Sequence, residues 1–454
     1  MIYDLMVIGG GPAGYLAAER AGHAGLSVLL IEKRALGGVC LNEGCVPSKT
    51  FLNSAKMLEH AKHGAAYGVT CENPKLDHAK VVERKNKVVK TLVAGVKGQM
   101  RANKVTVVAD EAFIEGRTAE GFSVKTSKET YLSKRLLICT GSSAVVPPID
   151  GVAEGVKDGF VLTNREILDL TEVPEKLVIV GGGVIGLEMA SYFNIAGSKV
   201  TVVEMLDKIA GPTDAEISSI LMNNYEKQGV EFKLSAKVTK ITKNSVVFEK
   251  DGKTEELPAD KVLLSIGRRA NTKGLGLENL GVLTERGAIV TDRYGRTNVA
   301  EVYATGDVNG KSMLAHTAYR ESEVAINNIL GKKDIMRYHA IPAVIYTNPE
   351  VGSVGETEAT AKAKGIDVKV GKVSMNFSGR YVAENEKGDG ICKVIVDKAT
   401  DALIGCHMIG SYASEIIVSA GIMIENEMRV SDIKEIVFPH PTVSEIIREA
   451  IFSL

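Results

Sequence analysis

DLMVIGGGPAGYLAAERAGHAGLSVLLIEK (residues 4–33) decides the fold. It reads as an apolar strand, a tight turn carrying Gly9, Gly11 and Gly14, an alanine-rich helix, and a second strand ending in Glu32. The pattern recurs in KLVIVGGGVIGLEMASYFNIAGSKVTVVE (176–204), with Gly181, Gly183, Gly186 and Glu204. In both copies the acidic residue stands 23 positions after the first glycine. Glycine is required because the backbone must turn sharply, approach a pyrophosphate and pack a helix against a strand. The helix N-terminus then faces the phosphates. One such motif is often only a glycine-rich turn. Two copies, each with flanking strands, a following helix and a spaced carboxylate, predict two dinucleotide sites.

Glu32 and Glu204 each end a strand, where a carboxylate accepts hydrogen bonds from ribose hydroxyls. Met205-Leu206-Asp207 follow Glu204 and offer no arginine to a 2′-phosphate. The second nucleotide is therefore expected to be NAD rather than NADP.

Close behind the first copy comes GGVCLNEGCVPSK (37–49). Residues five apart in a regular helix are about 7.5 Å apart along its axis and on different faces, whereas a disulfide needs Cα atoms within about 7 Å. If Cys40 and Cys45 pair, the backbone departs from helical geometry, with Gly37, Gly38 and Gly44 as the permissive positions. Pro47 suits the first turn of a helix running on through Lys49-Thr50-Phe51-Leu52, which sets Cys45 near a helix N-terminus that favours thiolate. A structural disulfide or two buried free thiols would also fit the spacing. The apolar run Ile2–Ile8 enters the glycine turn as a strand rather than a secretory signal, and in a reducing compartment a close cysteine pair points to catalysis or metal. Zinc needs four ligands, usually at shorter spacing. Cys71, Cys139, Cys392 and Cys406 are scattered singly, so no metal is expected.

A disulfide accepts no hydride from nicotinamide without an intermediary, and a flavin exchanges electrons with both. The cysteines follow the first motif, so FAD is assigned to Gly9–Glu32. A later strand and turn, Glu301–Asp307, fits a return to that domain with Asp307 reaching the cofactor. Asp307 would equally suit a helix N-cap.

The chain has 454 residues, too many for one core. Its 55 basic and 56 acidic residues leave a net charge of −1 and no general attraction to nucleic acid or membrane. No apolar run approaches the length of a membrane span. The basic segment 80–104 reads as an amphipathic helix, with Val81, Val88, Leu92 and Val96 near helical spacing.

On IGGGPAG, GGVCLNEGCVPSK, Cys139-Thr140-Gly141-Ser142, GGGVIGLE, Ser265-Ile266-Gly267-Arg268-Arg269, ATGDV and the C-terminal HPTVSE, the whole chain resembles the pyridine nucleotide-disulfide oxidoreductase flavoproteins, and within them the branch acting on dihydrolipoamide. The resemblance implies that Cys40 exchanges with substrate while Cys45 contacts the flavin. It places Lys49 near the flavin, paired with Glu188. Thr140, Gly141, Asp307 and Ala315 would be FAD contacts, and Val238 and Gly267 NAD contacts. Without it, Glu188 would read as an ordinary helix-surface glutamate. His440, between Pro439 and Pro441, carries the group that takes a thiol proton near neutral pH. Glu445 would orient it, as the acid does in a nucleophile–base–orienter set. By spacing alone Thr442-Val443-Ser444-Glu445 reads better as a capping box, and the resemblance decides for catalysis. Two departures stand out: Phe438-Pro439 ahead of His440, and Ala270 after Arg269.

The expected architecture is α/β, with two doubly wound nucleotide-binding domains and a C-terminal α+β interface domain. The FAD domain would comprise 1–141 and 269–337, the NAD domain 142–268, and the interface domain 338–454. The resemblance further implies a cytoplasmic homodimer, with His440 of one subunit serving the cysteines of the other. It implies NAD-dependent oxidation of dihydrolipoamide on lipoyl domains of an acyltransferase core or on a glycine cleavage carrier protein. Alternatives are another NAD(P)H-dependent disulfide reductase and a chiefly structural subunit of such a complex.

Overall fold

A computed structural model describes residues 1–386 and 388–454. The chain divides into two compact units, one of Met1–Thr50, Val82–Val145 and Gly267–Arg337, the other of Phe51–Val81, Val146–Ile266 and Tyr338–Leu454.

The first unit is built on a five-stranded parallel sheet in the order Val302–Ala304, Leu136–Ile138, Leu5–Ile8, Val28–Ile31, Thr106–Val108. All its strands but the edge strand Thr106–Val108 are buried along their length because both faces are covered. Leu5, Val7, Val28, Leu30 and Leu137 point into one core, and Met6, Ile8, Leu29, Ile31, Leu136 and Ile138 into another. Each such buried side chain contributes about 1.5–3 kcal/mol. Helix Pro12–His23 buries Ala13, Ala17, Ala18 and Ala21, small residues that let it lie close to the sheet. Helix Ala315–Ile329 packs along it. Strand order reverses between Leu5–Ile8 and Leu136–Ile138, and the crevice beyond such a switch point is where open α/β sheets bind ligands.

The second unit repeats the plan, with parallel strands Val161–Leu162, Lys261–Leu264, Lys176–Val180, Lys199–Val203, Glu231–Lys233 in spatial order. Its switch point lies between Lys176–Val180 and Lys261–Leu264. Helix Val184–Ala196 is apolar nearly all round and accordingly buried along most of its length. Residues 338–454 add an antiparallel sheet in the order Ala343–Ile345, Val351–Gly355, Leu403–Ile409, Ile391–Asp397, Val368–Ser374. Helices Ala413–Glu425 and Ile446–Phe452 pack on it through Ile416, Ile417, Ile446, Ile447 and Ile451. The architecture is the expected α/β class with an α+β C-terminal part.

The basic segment is helical over His78–Ala102. Its inward stripe keeps Val81, Val88 and Val96 of the expected one and leaves out Leu92. Val81, Lys85 and Met100 are buried and Val88, Val89, Val93 and Val96 half-buried, whereas Leu92 is 40% exposed. Among the described residues no helix is long and apolar enough to cross a membrane.

A buried cation ties the sheets of the second unit together. Lys393, on strand Ile391–Asp397, reaches Asp214 at 3.1 Å, Glu216 at 3.1 Å and Glu358 at 2.9 Å. Burial disfavours its charge, but hydrogen bonds to Glu358 and Glu216 and the charge of Asp214 outweigh that and raise its pKa. Removing one partner of such a buried group strands the others. Lys393→Met is expected to cost about 3–5 kcal/mol, and Lys398→Met, which breaks an exposed pair with Asp367, less than about 1 kcal/mol. Urea unfolding followed by circular dichroism checks this, and equal midpoints for the two variants would contradict it.

Candidate functional site

Each glycine turn divides its labour the same way. Gly9 and Gly181 take φ of 104° and 102°, and a Cβ on either would stand 2.3 or 2.4 Å from the carbonyl oxygen of Cys139 or Ser265 across the switch point. Gly14 and Gly186 seat their helices so closely that a Cβ would fall 1.8 or 2.5 Å from the oxygen of Gly9 or Gly181. The middle glycines differ. A Cβ on Gly11 or Gly183 would meet nothing nearer than 3.8 Å, so the protein's own packing does not require glycine there. Both are N-caps without a side-chain cap, leaving first-turn N–H groups for an anion. Open space, uncapped N–H groups and a spaced carboxylate fit a bound dinucleotide in both turns.

The two carboxylates are held alike. Glu32 accepts hydrogen bonds from the N–H groups of Gly10 and Arg34, both at 2.6 Å. Glu204 accepts from Gly182 at 2.6 Å and Leu206 at 2.8 Å. Each carboxylate is thereby fixed at its strand end with acceptor capacity to spare.

The cysteine segment departs from a single helix as the spacing required. Cys40 lies in helix Gly38–Glu43, Gly44 breaks the path at φ −147°, ψ −112°, and Cys45 begins helix Cys45–His63. Gly37 and Gly38 have φ of 96° and 58°. Pro47 is the third residue of the new helix. Both cysteines are thiols, Cys40 half-buried and Cys45 exposed. The hydrogen bond that Cys40 donates to Cys45, burial and the charge of Cys45 raise the pKa of Cys40, and the charge of Lys49 opposes them. Sequence reasoning missed the clamp on this segment: Arg34 binds Glu43 through two hydrogen bonds of 3.0 and 3.1 Å, and Glu43 is buried. A buried glutamate between two glycine-rich stretches carried no motif by which to find it.

Asp307 caps no α-helix. It opens the short turn Asp307–Asn309 and accepts a 2.5 Å hydrogen bond from Ser142, which in turn accepts from Arg268 at 2.7 Å. Glu321, also missed, takes the N–H of Gly306 and the amide of Asn309 on one oxygen. Thr140 and Asn271 exchange hydrogen bonds of 2.7 and 3.0 Å, Gly141 has φ 67°, and Ala315 starts its helix. Gly267 has φ 112° and belongs to this first unit.

In the second unit Glu188 is not the surface glutamate its position alone suggested. It is buried and accepts the Tyr346 N–H at 3.1 Å. Val238 sits in the core on strand Lys237–Ile241. Glu445 does not close the capping box that spacing favoured. The helix begins at Ile446 and Glu445 makes no cap hydrogen bond, while Thr442 bonds to Pro439 O and Ser444 instead. Glu445 Oε2 lies 2.8 Å from His440 Nδ1. The carboxylate side chain is 10% exposed and the imidazole 76%, so a buried acceptor orients an open ring. With Nδ1–H donated to Glu445, the lone pair resides on Nε2. Phe438 packs partly against the apolar core, which anchors the run into His440.

Residues 3–322 match the family model described as pyridine nucleotide-disulphide oxidoreductase, and residues 341–451 its dimerisation domain. The chain is 39% identical to a dihydrolipoyl dehydrogenase of Rhizobium etli over 99% of this chain and 97% of that one, and 39% identical to one of Bacillus subtilis over 98% and 95%. Among solved structures it is similar to LpdA from Mycobacterium tuberculosis, with TM-score 0.89 at 27% identity over 99% of both chains. The flavoprotein disulfide reductase RclA of Escherichia coli matches with TM-score 0.86 at 28% identity, covering 98% of each.

The glycine geometry separates folding from binding. Gly11→Ala is expected to fold with near-normal stability and lose FAD, whereas Gly14→Ala forces backbone apart and should destabilise by about 1–3 kcal/mol. Flavin content of the purified proteins and thermal unfolding of the apoproteins measure the two effects. Normal flavin content in Gly11→Ala would contradict the assignment.

Proposed function

We propose, for a chain that belongs to the pyridine nucleotide-disulphide oxidoreductase family, that it oxidises dihydrolipoamide to lipoamide and reduces NAD⁺ to NADH. It is an oxidoreductase and a flavoprotein that uses FAD and NAD. The observation that carries the reading is the Cys40–Cys45 contact at a helix start, in the unit that carries the first glycine turn. FAD is assigned to 1–141 with 269–337 and NAD to 142–268, with 338–454 serving dimerisation. Gly9, Gly11, Gly14, Glu32, Thr140, Gly141, Asp307 and Ala315 would hold FAD. Gly181, Gly183, Gly186, Glu204, Val238 and Gly267 would hold NAD.

Bound flavin supplies a two-electron carrier between the cysteine pair and nicotinamide. His440, oriented by Glu445, takes the proton of one substrate thiol at Nε2. The thiolate attacks Cys40 of the oxidised pair; a sulfur–sulfur bond forms to substrate and Cys45 leaves as thiolate. The helix N-terminus favours that charge. His440, whose imidazole is 76% exposed, releases that first proton to solvent and takes the proton of the second substrate thiol; the resulting thiolate closes the dithiolane, and Cys40 departs with the electron pair and takes the proton held at His440. Two electrons have passed from substrate to the cysteines. Lys49 offsets negative charge at Cys40.

The dimerisation domain supports a homodimer, in which His440 of one subunit serves the cysteines of the other. Substrate arrives on lipoyl domains of an acyltransferase core or on a glycine cleavage carrier protein, in the cytoplasm. A second reading, reduction of a different disulfide by NAD(P)H, draws on the likeness to RclA.

Dihydrolipoamide-dependent NADH formation by the purified protein tests the first reading, and its absence would favour the second. Glu204 should favour NAD over NADP at least about tenfold in kcat/KM, because a hydrogen bond to a charged group is worth about 1.5–3 kcal/mol; comparable values would refute the assignment. Glu445→Gln should slow thiol oxidation severely while leaving thermal stability nearly unchanged. Normal turnover by that variant would leave Glu445 without a part in the reaction.

A further inference from the structure

The hydroxyls of Tyr15 and Tyr319 meet at 2.5 Å, with their rings edge-on and centroids 6.0 Å apart. Both belong to the first unit and both are half-buried. Tyr15 lies one turn into helix Pro12–His23, its N–H donated to Gly11 O at 2.9 Å. Gly11 packs against Gly38, and Cys40 follows Gly38 by two residues. Tyr319 comes from helix Ala315–Ile329, packed along the first helix. The helix that carries Tyr15 therefore starts against the cysteine segment. Consistent with this placement, burial raises both phenol pKa values and charge on Cys40 or Cys45 raises them further, so both stay protonated at neutral pH.

Two phenols bring two protons, and only one is used between the oxygens. Whichever hydroxyl donates, the other keeps an O–H free to donate elsewhere. Bracing two helices would require the rings and the mutual bond but not this second proton.

We propose that Tyr15 and Tyr319 form a hydrogen-bond donor for the thiol-exchange site, positioning the free phenolic O–H toward the sulfur displaced at Cys40. The proposal rests on the reading of Cys40 as the exchanging thiol. In the second exchange the substrate thiolate attacks the substrate sulfur bound to Cys40, that sulfur–sulfur bond breaks, and the electron pair passes to Cys40. The phenol donates a hydrogen bond to the departing sulfur and keeps its proton, while the proton that finally neutralises Cys40 comes from His440. Compounds that exchange sulfur at Cys40 would depend on the pair, and electron transfer that bypasses Cys40 would not.

The test uses the FAD-loaded dimer with Tyr15→Phe, Tyr319→Phe and the double variant, which keep both rings. Dihydrolipoamide oxidation is followed across pH, ferricyanide reduction by NADH reports the part of the cycle without thiol exchange, and Cys40→Ser runs in parallel. The expected result is a fall of about tenfold or more in kcat for dihydrolipoamide in the double variant, the scale of a hydrogen bond to a charged group. The rising limb of its pH profile should move upward, with ferricyanide rate and flavin content unchanged. Each single variant retains one hydroxyl and should lose less. Wild-type kcat and pH profile in the double variant would overturn the proposal, as would parallel losses in dihydrolipoamide and ferricyanide rates, which indicate mere bracing. Dihydrolipoamide turnover by Cys40→Ser would overturn the underlying reading instead. An inactive Cys40→Ser beside a normal double variant would defeat the tyrosine proposal alone.

Discussion

Two backbones must approach more closely than any side chain permits, and the rest of each nucleotide turn depends on that contact. In the first unit Gly9 lies under the Cys139 carbonyl and Gly14 against the Gly9 carbonyl; in the second, Gly181 and Gly186 take the same places beside Ser265 and Gly181. These contacts set the width of the switch point and the seat of the following helix. They also aim the next backbone N–H at the strand-end carboxylate, Gly10 to Glu32 and Gly182 to Glu204. The two missing Cβ atoms of each turn thus control turn, helix and carboxylate together.

The cysteine segment is built outward from the first of these turns. Gly37 donates its N–H to Gly10 O at 2.8 Å, and a Cβ on Gly38 would stand 2.6 Å from Gly11 Cα. Arg34, whose N–H helps hold Glu32, binds Glu43 at the end of the Cys40 helix. The placement of the thiols therefore descends from the geometry that shapes the nucleotide turn. Tyr15, one helical turn beyond Gly11, shares that origin.

The second unit uses the repeated turn differently. Its helix Val184–Ala196 buries Glu188, and an isolated buried carboxylate is costly without partners; the Tyr346 N–H is one. Lys393 with its three carboxylates joins the parallel sheet's helix Ala215–Lys227, capped by Asp214, to the antiparallel sheet. On that antiparallel part, Val443, Ile446 and Ile447 enter the core and carry His440 and Glu445 between them and the surface.

The doubled glycine motif, its flanking strands and its spaced carboxylates were legible in the sequence because each rests on local backbone geometry and a fixed period. The break between Cys40 and Cys45 was legible for the same reason, since helix pitch conflicts with sulfur pairing. Local rules failed where partners come from distant sequence. Glu188 looked like a surface residue and is buried; Arg34 with Glu43, Glu321 under the Gly306 turn, and Tyr15 with Tyr319 left no spacing signature. Glu445 shows the division most clearly. Spacing favoured a capping box, but burial of Val443, Ile446 and Ile447 starts the helix one residue after Glu445, and its carboxylate turns to His440. Sequence determined that an acid and an imidazole stand five residues apart; only tertiary packing decided that they meet, because the core sets where that helix begins.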